Sequence, residues 1–376
     1  MGNYITNDVI SSTSFIFDNI KGGVASMQGC RETMEDAHAM FALPYVEEHY
    51  FCGVFDGHGG TQVSTYIEKN IEEYFKNSPE WMEYVKLLKM LPEQSSSELV
   101  KLCGNAITQI LLKMDEDMVP LIYDESGSTA ITAIITPTHI ICGNVGDSRC
   151  VLGTNGKCVE MSFDHKPNNV EESTRIHNAG GFVTDSRVDG ALAVSRALGD
   201  FSLKDMKVDA YLRKVSACAE IIVHERNMND EFLFLSCDGV TDVFTSQEIV
   251  DSTRKIFESG KCNMQLTAEE MVDRAFDNRS TDNISVMIVC FDGAKFNEEY
   301  DGVIEMRRIR HDNKEATRLA KEDNSPEKNQ IPIHDKAEQL IRNEIEKNAQ
   351  EEAEKLALEE ADKYISENFS IFDLPK

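Results

Sequence analysis

The sequence predicts an α+β layered domain that ends near residue 295, and three observations support this fold class. Short apolar stretches bounded by turn residues are typical of strands. Apolar residues spaced four apart are typical of helices. Strand segments joined by turns of a few residues are typical of antiparallel sheets. A series of strands with helices packed outside them is therefore expected, and no internal repeat is present.

The domain is expected to begin with three strands and to continue with helices. The strand patterns are GGVASMQG at 22–29, DAHAMFAL at 36–43 and HYFCGVFD at 49–56. Residues 61–76 then predict a helix, because apolar side chains recur four apart on one face. These side chains are Val63, Ile67, Ile71 and Phe75. Helical patterns continue, with breaks at Pro79 and Pro92, to about Val119.

The second half of the domain changes to the period of a strand. Residues 128–153 are β-rich segments joined by short turns. Such turns permit antiparallel neighbours only, since a parallel crossover needs about a dozen residues or more. Further strands are predicted at 220–225, 232–238 and 283–292, with helices at 246–257 and 267–277 between the last two.

Three segments are expected along the chain: an N-terminal segment at 1–21, the layered domain at 22–295, and an acidic helical extension at 296–376. In the extension, apolar side chains recur four apart from Ile341 to Ile365, which predicts one long amphipathic helix. Its apolar stripe would pack on the domain or on another such helix, or would bind a partner. Residues 321–330, KEDNSPEKNQ, are typical of an exposed linker.

The net charge of the chain excludes one class of partner. The formal net charge is −28, so sequence-independent binding to nucleic acid is not expected, because the two polyanions would repel each other. A phosphorylated substrate would be repelled in the same way. Phosphate chemistry on this chain would therefore require bound cations. The acidity also disfavours casual self-association, which predicts a monomer.

Cysteine spacing and hydropathy favour an intracellular protein. The ten cysteines contain no CxxC pair, which argues against a zinc ribbon or a dense disulfide framework. A cytoplasmic location is expected, with nuclear or membrane-associated pools left open. The start MGNYIT matches the N-myristoylation signature at Gly2, and an ordinary frayed terminus is the alternative. One acyl chain would give only weak, reversible membrane association.

Acidic residues stand at the ends of apolar strands in several separate stretches. YFCGVFDGHGG at 50–60 ends an apolar run on Asp56, and acids also occur in RETMED (31–36), NVGDSR (144–149), SCDGVTD (236–242) and STDNIS (280–285). Each acid alone could be a turn residue, a helix cap or a solvated charge. Together they indicate shared cations, because clustered carboxylates repel one another. Carboxylate and carbonyl ligands suit Mg²⁺ or Mn²⁺ rather than zinc or copper.

An ordered series of motifs within residues 22–292 carries a family resemblance. The series is MEDAH, GVFDGHGG, SGSTA, GDSR, DHKP, RVDGALAVSRALGDF, CDG and DNIS. It resembles the metal-dependent type 2C protein serine/threonine phosphatases. The resemblance implies a central antiparallel β-sandwich flanked by helices on both sides (four-layer α/β/β/α). It also implies phosphoprotein substrates and a binuclear Mn²⁺ or Mg²⁺ centre at one end of the sandwich.

The resemblance also assigns roles to individual residues of this sequence. Asp56 would bridge both metals, and the backbone carbonyl of Gly57 would be a further ligand. Additional matched positions are Glu35 as an outer ligand of one metal, Asp238 and Asp282 as ligands of the other, Asp36 as a supporting acid, and Asp147 and Asp242 at a third, weaker site. Thr241 departs from the family pattern, which commonly has an aromatic residue at this position.

Two more residues match groups that would act on the phosphate. Arg31 would bind the phosphate with its planar guanidinium, and a surface charge is the alternative role. His58 would protonate the leaving oxygen as a general acid, and a structural histidine is the alternative. The implied mechanism is direct attack by a water that bridges the two metals, without a covalent phosphoenzyme. A pseudophosphatase scaffold of the same fold and a binuclear hydrolase of small phosphoesters are the competing functions.

Overall fold

Two antiparallel sheets lie face to face, and helices cover the outer face of each. The structure is a computed structural model that describes residues 7–18, 20–90, 97–297, 302–310 and 312. The described residues up to 310 belong to one compact unit. The predicted α+β class and the four-layer α/β/β/α arrangement are confirmed.

The strands and helices are numbered in chain order. The strands are β1 (Asn7–Phe17), β2 (Ile20–Gly29), β3 (Ala37–Ala42), β4 (Tyr50–Phe55), β5 (Gly57–His58), β6 (Gly127–Ser128), β7 (Ala130–Ile135), β8 (His139–Val145), β9 (Arg149–Thr154), β10 (Lys157–Glu160), β11 (Val183–Thr184), β12 (Arg187–Val188), β13 (Leu198–Gly199), β14 (Glu220–Glu225), β15 (Asp230–Ser236) and β16 (Ile284–Cys290). The helices are α1 (Gln62–Asn77), α2 (Pro79–Met90), α3 (Ser97–Met118), α4 (Val170–Asn178), α5 (Asp238–Thr241), α6 (Ser246–Ser259) and α7 (Met264–Asp277), and residues 302–310 are also helical.

Each large sheet is antiparallel throughout. One has six strands in the order β1-β2-β16-β15-β9-β10, and the other has five in the order β14-β8-β7-β4-β3. A three-stranded sheet, β13-β6-β5, lies beside them, and β11 and β12 form a short hairpin. The three-stranded sheet contains His58 and therefore belongs to the candidate site.

The two faces of strand β4 explain why its sequence is apolar without interruption. Cys52 and Val54 pack in the core between the two sheets, whereas Phe51 and Phe55 pack in the core beneath the helices α1 to α3. Successive side chains of a strand point to opposite faces, so a strand buried on both faces needs apolar residues at every position. A third core joins α6 and α7 to the outer face of the six-stranded sheet.

One expected strand pairing is wrong. Strands β7 and β8 are antiparallel neighbours as predicted, but β8 lies in the five-stranded sheet and β9 in the six-stranded sheet. The short turn at 146–148 therefore carries the chain from one sheet to the other. Gly146 has a φ of 114°, a conformation that favours glycine and lets the chain leave the first sheet at once.

The N-terminal segment contributes an edge strand that the sequence pattern did not indicate. Strand β1 pairs with β2, and the hydroxyl of Ser12 donates a hydrogen bond to Glu269 Oε1 of α7 at 2.6 Å. Gly2, the linker at 321–330 and the stripe from Ile341 to Ile365 lie outside the described residues. Within the described ranges, no helix has the length and apolar character that crossing a bilayer requires.

Candidate metal centre

Two strands from each large sheet place acidic residues at one end of the sandwich. In the five-stranded sheet, Asp36 precedes β3 and Asp56 follows β4, and the antiparallel register pairs Ala37 with Phe55. In the six-stranded sheet, Asp238 follows β15 and Asp282 precedes β16. The end of one antiparallel strand lies beside the start of its neighbour, so each pair of acids shares a sheet end.

Among the residues that the structure describes, Asp36, Asp56 and Cys237 form a cluster of possible ligand atoms. One ligand atom from each lies within 4.8 Å of the other two. The Cys237 thiol donates to the carbonyl of Asn283 at 3.3 Å and accepts from the amide of Ser285 at 3.1 Å. Those backbone contacts occupy the sulfur, which leaves the carboxylate oxygens as the groups able to hold an ion.

Asp36 provides the most direct test of whether an ion fits. Its Oδ2 accepts a hydrogen bond from Ser285 Oγ at 2.7 Å, whereas its Oδ1 is buried without a hydrogen-bond partner. A buried polar atom without a partner is costly in free energy, since it has lost its water. An oxygen in that position beside Asp56 is suited to a divalent cation.

The pKa values of the acids indicate a local excess of negative charge. Burial raises the pKa of the Asp56 carboxyl well above its usual range, and the charges of Asp36, Asp238, Asp147 and Asp282 raise it further. Burial and the charges of Asp147 and Asp282 raise the pKa of Asp238 to about 7. Burial raises the pKa of Asp36 to about 6 although the hydrogen bond from Ser285 opposes the shift. Bound cations would reverse these shifts, so the carboxylates present fit metal ions.

Glu35 and Gly57 lie beside this cluster. The Glu35 carboxylate accepts hydrogen bonds from Thr33 Oγ1 at 2.8 Å and from the amide of Gly60 at 3.3 Å. A Cβ at Gly57 would overlap the backbone oxygen of Glu35 and lie 2.8 Å from Ser64 Oγ. Glycine at this position therefore lets the two backbone segments approach closely.

Arg31 contacts the edge of the acid cluster. Its Nη2 donates to Asp282 Oδ2, and its side chain is 59% exposed. A guanidinium that is anchored by an acid at one end of the sandwich and open to solvent can contact an anion that arrives there. The predicted role of Arg31 in binding phosphate remains a prediction.

Asp147 and Asp242, which were predicted for a third ion, lie near Lys166, whose charge also acts on Asp238. Asp147 is buried, and its Oδ2 accepts a hydrogen bond from Lys166 Nζ. Burial raises the pKa of the Asp242 carboxyl, and the positive charge of Lys166 opposes this shift. Lys166 therefore neutralises part of the charge that these acids bring together.

His58 pairs with an acid that lies far away in the sequence. Its Nε2 is 3.0 Å from Asp200 Oδ1 and 2.9 Å from Asp200 Oδ2. Burial lowers the pKa of the imidazole, but the hydrogen bond and charge of Asp200 outweigh burial, so the pKa is raised overall.

The comparison with known proteins agrees with this geometry. Residues 20–284 match the family described as Protein phosphatase 2C. This chain belongs to the protein phosphatase 2C family. The predicted enzyme class, a type 2C serine/threonine phosphatase, is thereby confirmed. Phosphatases of this family are metal-dependent, and the acid cluster is a group that could hold the metal.

Several relatives of this phosphatase share more than a third of their aligned residues with it. Protein phosphatase 2C homolog 2 of Schizosaccharomyces pombe is 37% identical over 285 residues, which cover 72% of each chain. Protein phosphatase 1A of Bos taurus is 37% identical over 307 residues, which cover 77% of this chain and 78% of the bovine one. Human Protein phosphatase 1B is also 37% identical, over 74% of this chain and 58% of its own.

Solved structures support the fold of this phosphatase. A structure described as a phosphatase from a pathogenic strain of Toxoplasma gondii has a TM-score of 0.62 at 25% identity. The superposition covers 77% of this chain and 97% of that chain.

Two residues of this phosphatase site were missed by sequence reasoning. Lys166 and Asp200 both lie in motifs that the family resemblance used, DHKP and RVDGALAVSRALGDF. The motifs marked the segments but gave these two side chains no role. Their partners, Asp147 and His58, lie 19 and 142 residues away in the chain, so no local pattern pointed to either pair.

Proposed function

We propose that this protein is a Mn²⁺- or Mg²⁺-dependent phosphatase that hydrolyses phosphoserine and phosphothreonine in proteins. The observation that carries the proposal is the buried, unpartnered Oδ1 of Asp36 beside Asp56. Asp36, Asp56, Asp238 and Asp282, together with Glu35 and the carbonyl of Gly57, would hold two ions. Asp147 and Asp242 would hold a third.

The bound ions would lower the pKa of a water molecule, so that it could lose a proton and attack phosphorus directly. They would also neutralise charge on the phosphoryl oxygens. The chain would do the rest of the work. Arg31 would bind two phosphate oxygens and orient the phosphoryl group. His58 would give a proton to the seryl or threonyl oxygen as that oxygen departs.

Direct attack by water fits the state of the cysteine nearest the centre. Burial and the neighbouring carboxylates raise the pKa of the Cys237 thiol well above its usual range. A thiol nucleophile acts as the thiolate, so Cys237 is unsuited to form a covalent phosphoenzyme.

The test is hydrolysis of a phosphothreonine peptide by the full chain, with Mn²⁺ and with EDTA. We expect turnover with Mn²⁺ and none with EDTA. Purified protein that binds Mn²⁺ but releases no phosphate would support the pseudophosphatase scaffold instead. Faster hydrolysis of small phosphorylated metabolites than of the peptide would favour the small-phosphoester hydrolase.

We further propose a cytoplasmic enzyme with weak, reversible membrane association through an acyl chain on Gly2. Expression with N-myristoyltransferase should add the mass of a myristoyl group to the wild type and not to Gly2→Ala. The variant should keep its phosphatase activity and lose vesicle binding. Absence of the mass shift in the wild type would remove the lipid from the proposal.

A further inference from the structure

We propose that Asp200 is a positioning residue that orients the His58 imidazole for proton transfer to the leaving oxygen. This inference rests on the proposed function. The carboxylate of Asp200 contacts His58 Nε2 through both oxygens, at 3.0 and 2.9 Å. Asp200 is 5% exposed, so little water competes for its carboxylate, and a charge-assisted hydrogen bond is strong in such a setting.

The three-stranded sheet brings the two residues together. His58 of β5 pairs with Gly127 of β6, and Gly127 pairs with Gly199 of β13, which immediately precedes Asp200. A Cβ at Gly127 would overlap both the His58 imidazole and the Asp200 carboxylate. The residue between the two partners therefore has to be glycine for their side chains to meet across it.

The backbone of Asp200 is held in a conformation that few residues adopt. Its φ is 50°, and a non-glycine residue in the left-handed region needs support from its surroundings. The Asp200 amide donates to the carbonyl of Ser126 at 3.1 Å, and the Asp200 carbonyl accepts from the amide of Leu203 at 2.9 Å. Strain retained next to a reacting group suggests that the side-chain position matters.

A buried ion pair fixes the segment on both sides of Asp200. Asp115 Oδ1, on α3, accepts hydrogen bonds from the amide of Gly199 and from Lys204 Nζ, each at 2.8 Å. Lys204 Nζ also donates to the carbonyl of Ala197 at 2.8 Å. The side chains of Asp115 and Lys204 are fully buried. The core of the helical layer thus sets the position of the Asp200 backbone.

The hydrogen bond also decides which nitrogen transfers the proton. An ionised carboxylate only accepts, so His58 Nε2 carries a hydrogen and the transferred proton comes from Nδ1. In the step, the bond from phosphorus to the seryl oxygen breaks and its electron pair goes to that oxygen. The Nδ1–H bond breaks, the O–H bond forms, and the imidazole becomes neutral with its Nε2 hydrogen still directed at Asp200.

The experiment measures the activity of the wild type, Asp200→Asn and Asp200→Gly on two substrates with different leaving groups. All assays contain Mn²⁺. Asparagine and glycine tolerate a positive φ, so both variants should keep the backbone. A phosphoserine peptide releases an alcohol that needs a proton, whereas p-nitrophenyl phosphate releases a stable anion. Asp205→Asn is the matched control, because it removes a carboxylate from an exposed position in the same segment. Melting temperature and Mn²⁺ affinity are measured for every variant.

We expect Asp200→Gly to lower kcat on the peptide by about 10- to 100-fold, a part of the ~10²–10⁴-fold effect of general acid catalysis. KM and kcat on p-nitrophenyl phosphate should stay near the wild-type values. Asp200→Asn should be intermediate, because its amide oxygen can still accept the Nε2 hydrogen. In a His58→Gln background, Asp200→Gly should have no further effect on peptide hydrolysis.

An equal loss on both substrates would overturn the inference, because it would show a general structural role for Asp200. Unchanged peptide turnover in Asp200→Gly would overturn it as well. A wild-type protein that hydrolyses neither substrate with Mn²⁺ would overturn the proposed function and this inference together. If the wild type is active but the Asp200 variants lose activity equally on both substrates, this inference alone would be overturned.

Discussion

Two acid clusters of this phosphatase, one buried and one half-buried, balance their charge in different ways. In the Glu172 cluster (Glu172, Arg175, Ser195 and Arg196), the carboxylate accepts from Arg175 Nη1 at 2.8 Å and from Arg196 Nη2 at 2.7 Å. Burial raises the pKa of Glu172, but the hydrogen bond from Arg196 and the charges of both arginines outweigh burial and lower the pKa to about 2. The chain supplies its own counter-charge there.

In the metal centre the chain supplies only part of the counter-charge, through Arg31 at Asp282 and Lys166 at Asp147. Among the described residues, no lysine or arginine forms an ion pair with Asp36, Asp56 or Asp238, and burial raises the pKa of all three. A carboxylate neutralised within the chain can be purely structural, whereas buried carboxylates left unbalanced indicate where cations bind. The direction in which the pKa moves separates the two kinds of cluster.

The largest effect is expected from Asp238→Asn. This change removes a charged metal ligand, and loss of groups that only support a ligand already costs about 10- to 100-fold. Phosphopeptide turnover should therefore fall by more than about 100-fold, with a parallel loss of Mn²⁺ affinity in calorimetry. The metal-free variant should be at least as stable as the metal-free wild type, because one repelling charge is gone.

Asp251→Asn is the control for this change, since it removes an exposed carboxylate from α6. Its turnover and Mn²⁺ affinity should match those of the wild type. Normal Mn²⁺ affinity in Asp238→Asn would show that the ligand assignment is wrong.

The opposite result is expected from Glu172→Gln. The neutral side chain leaves two partly buried guanidinium groups without their acid, and breaking a buried ion pair costs about 3–5 kcal/mol. The free energy of unfolding in urea should drop by about that amount, while Mn²⁺ affinity per folded molecule stays unchanged. A variant as stable as the wild type would contradict the view that the Glu172 cluster is structural.

The stability of the metal-free protein should decrease as pH rises from about 4 to about 7. The pKa of Asp238 rises from 3.8 to about 7 on folding. Asp238 therefore stabilises the fold fully below its unfolded pKa and loses this contribution as pH increases through its folded pKa. A tenfold difference in proton affinity between the folded and unfolded states corresponds to about 1.4 kcal/mol. Melting temperatures in EDTA should fall across this range, and less steeply in Asp238→Asn.

Excess Mn²⁺ should reverse the trend, because metal ligands must be deprotonated and binding therefore strengthens with pH. The contribution of the Glu172 cluster to stability should be constant at neutral pH and should change only in acid, since a lowered pKa contributes stability that is lost as pH falls from 4.5 towards about 2. A melting temperature that rises with pH in EDTA would be inconsistent with the raised pKa of Asp238.

The acids of the metal centre could be predicted from sequence because their positions have a local cause. Asp56 follows the apolar strand β4, and Asp238 follows the apolar strand β15. Burial of such a strand draws the next residue to the end of the sandwich whatever the rest of the chain does. The helices α1, α6 and α7 were predictable for the same reason, since their apolar spacing is read within a few turns.

Other features could not be predicted because their causes lie far away in the chain. Strand β1 was missed because an edge strand exposes many polar side chains, and its pairing depends on β2 alone in the sheet order. At Gly146 the chain passes from the five-stranded sheet to the six-stranded sheet. This passage could not be predicted, because it depends on the pairing of β9 with the distant strand β15. Asp200 has a role only because Gly127 allows it to meet His58.

The smallest effect, and the sharpest test of the comparison, is expected from Lys166→Met. Lys166 is the cation that the chain itself offers to Asp147, Asp238 and Asp242, but its side chain is 41% exposed. Exposed ion pairs contribute about 1 kcal/mol or less, which is at most about fivefold in a binding constant. Without Lys166 a divalent ion no longer competes with the ammonium group, so Mn²⁺ should bind up to about fivefold more tightly. The melting temperature in EDTA at pH 8 should fall slightly, because the acids repel one another more.

Calorimetry would measure the change in Mn²⁺ affinity, and thermal denaturation would measure the change in melting temperature. Weaker Mn²⁺ binding would instead mean that Lys166 supports the metal centre rather than replacing part of its charge.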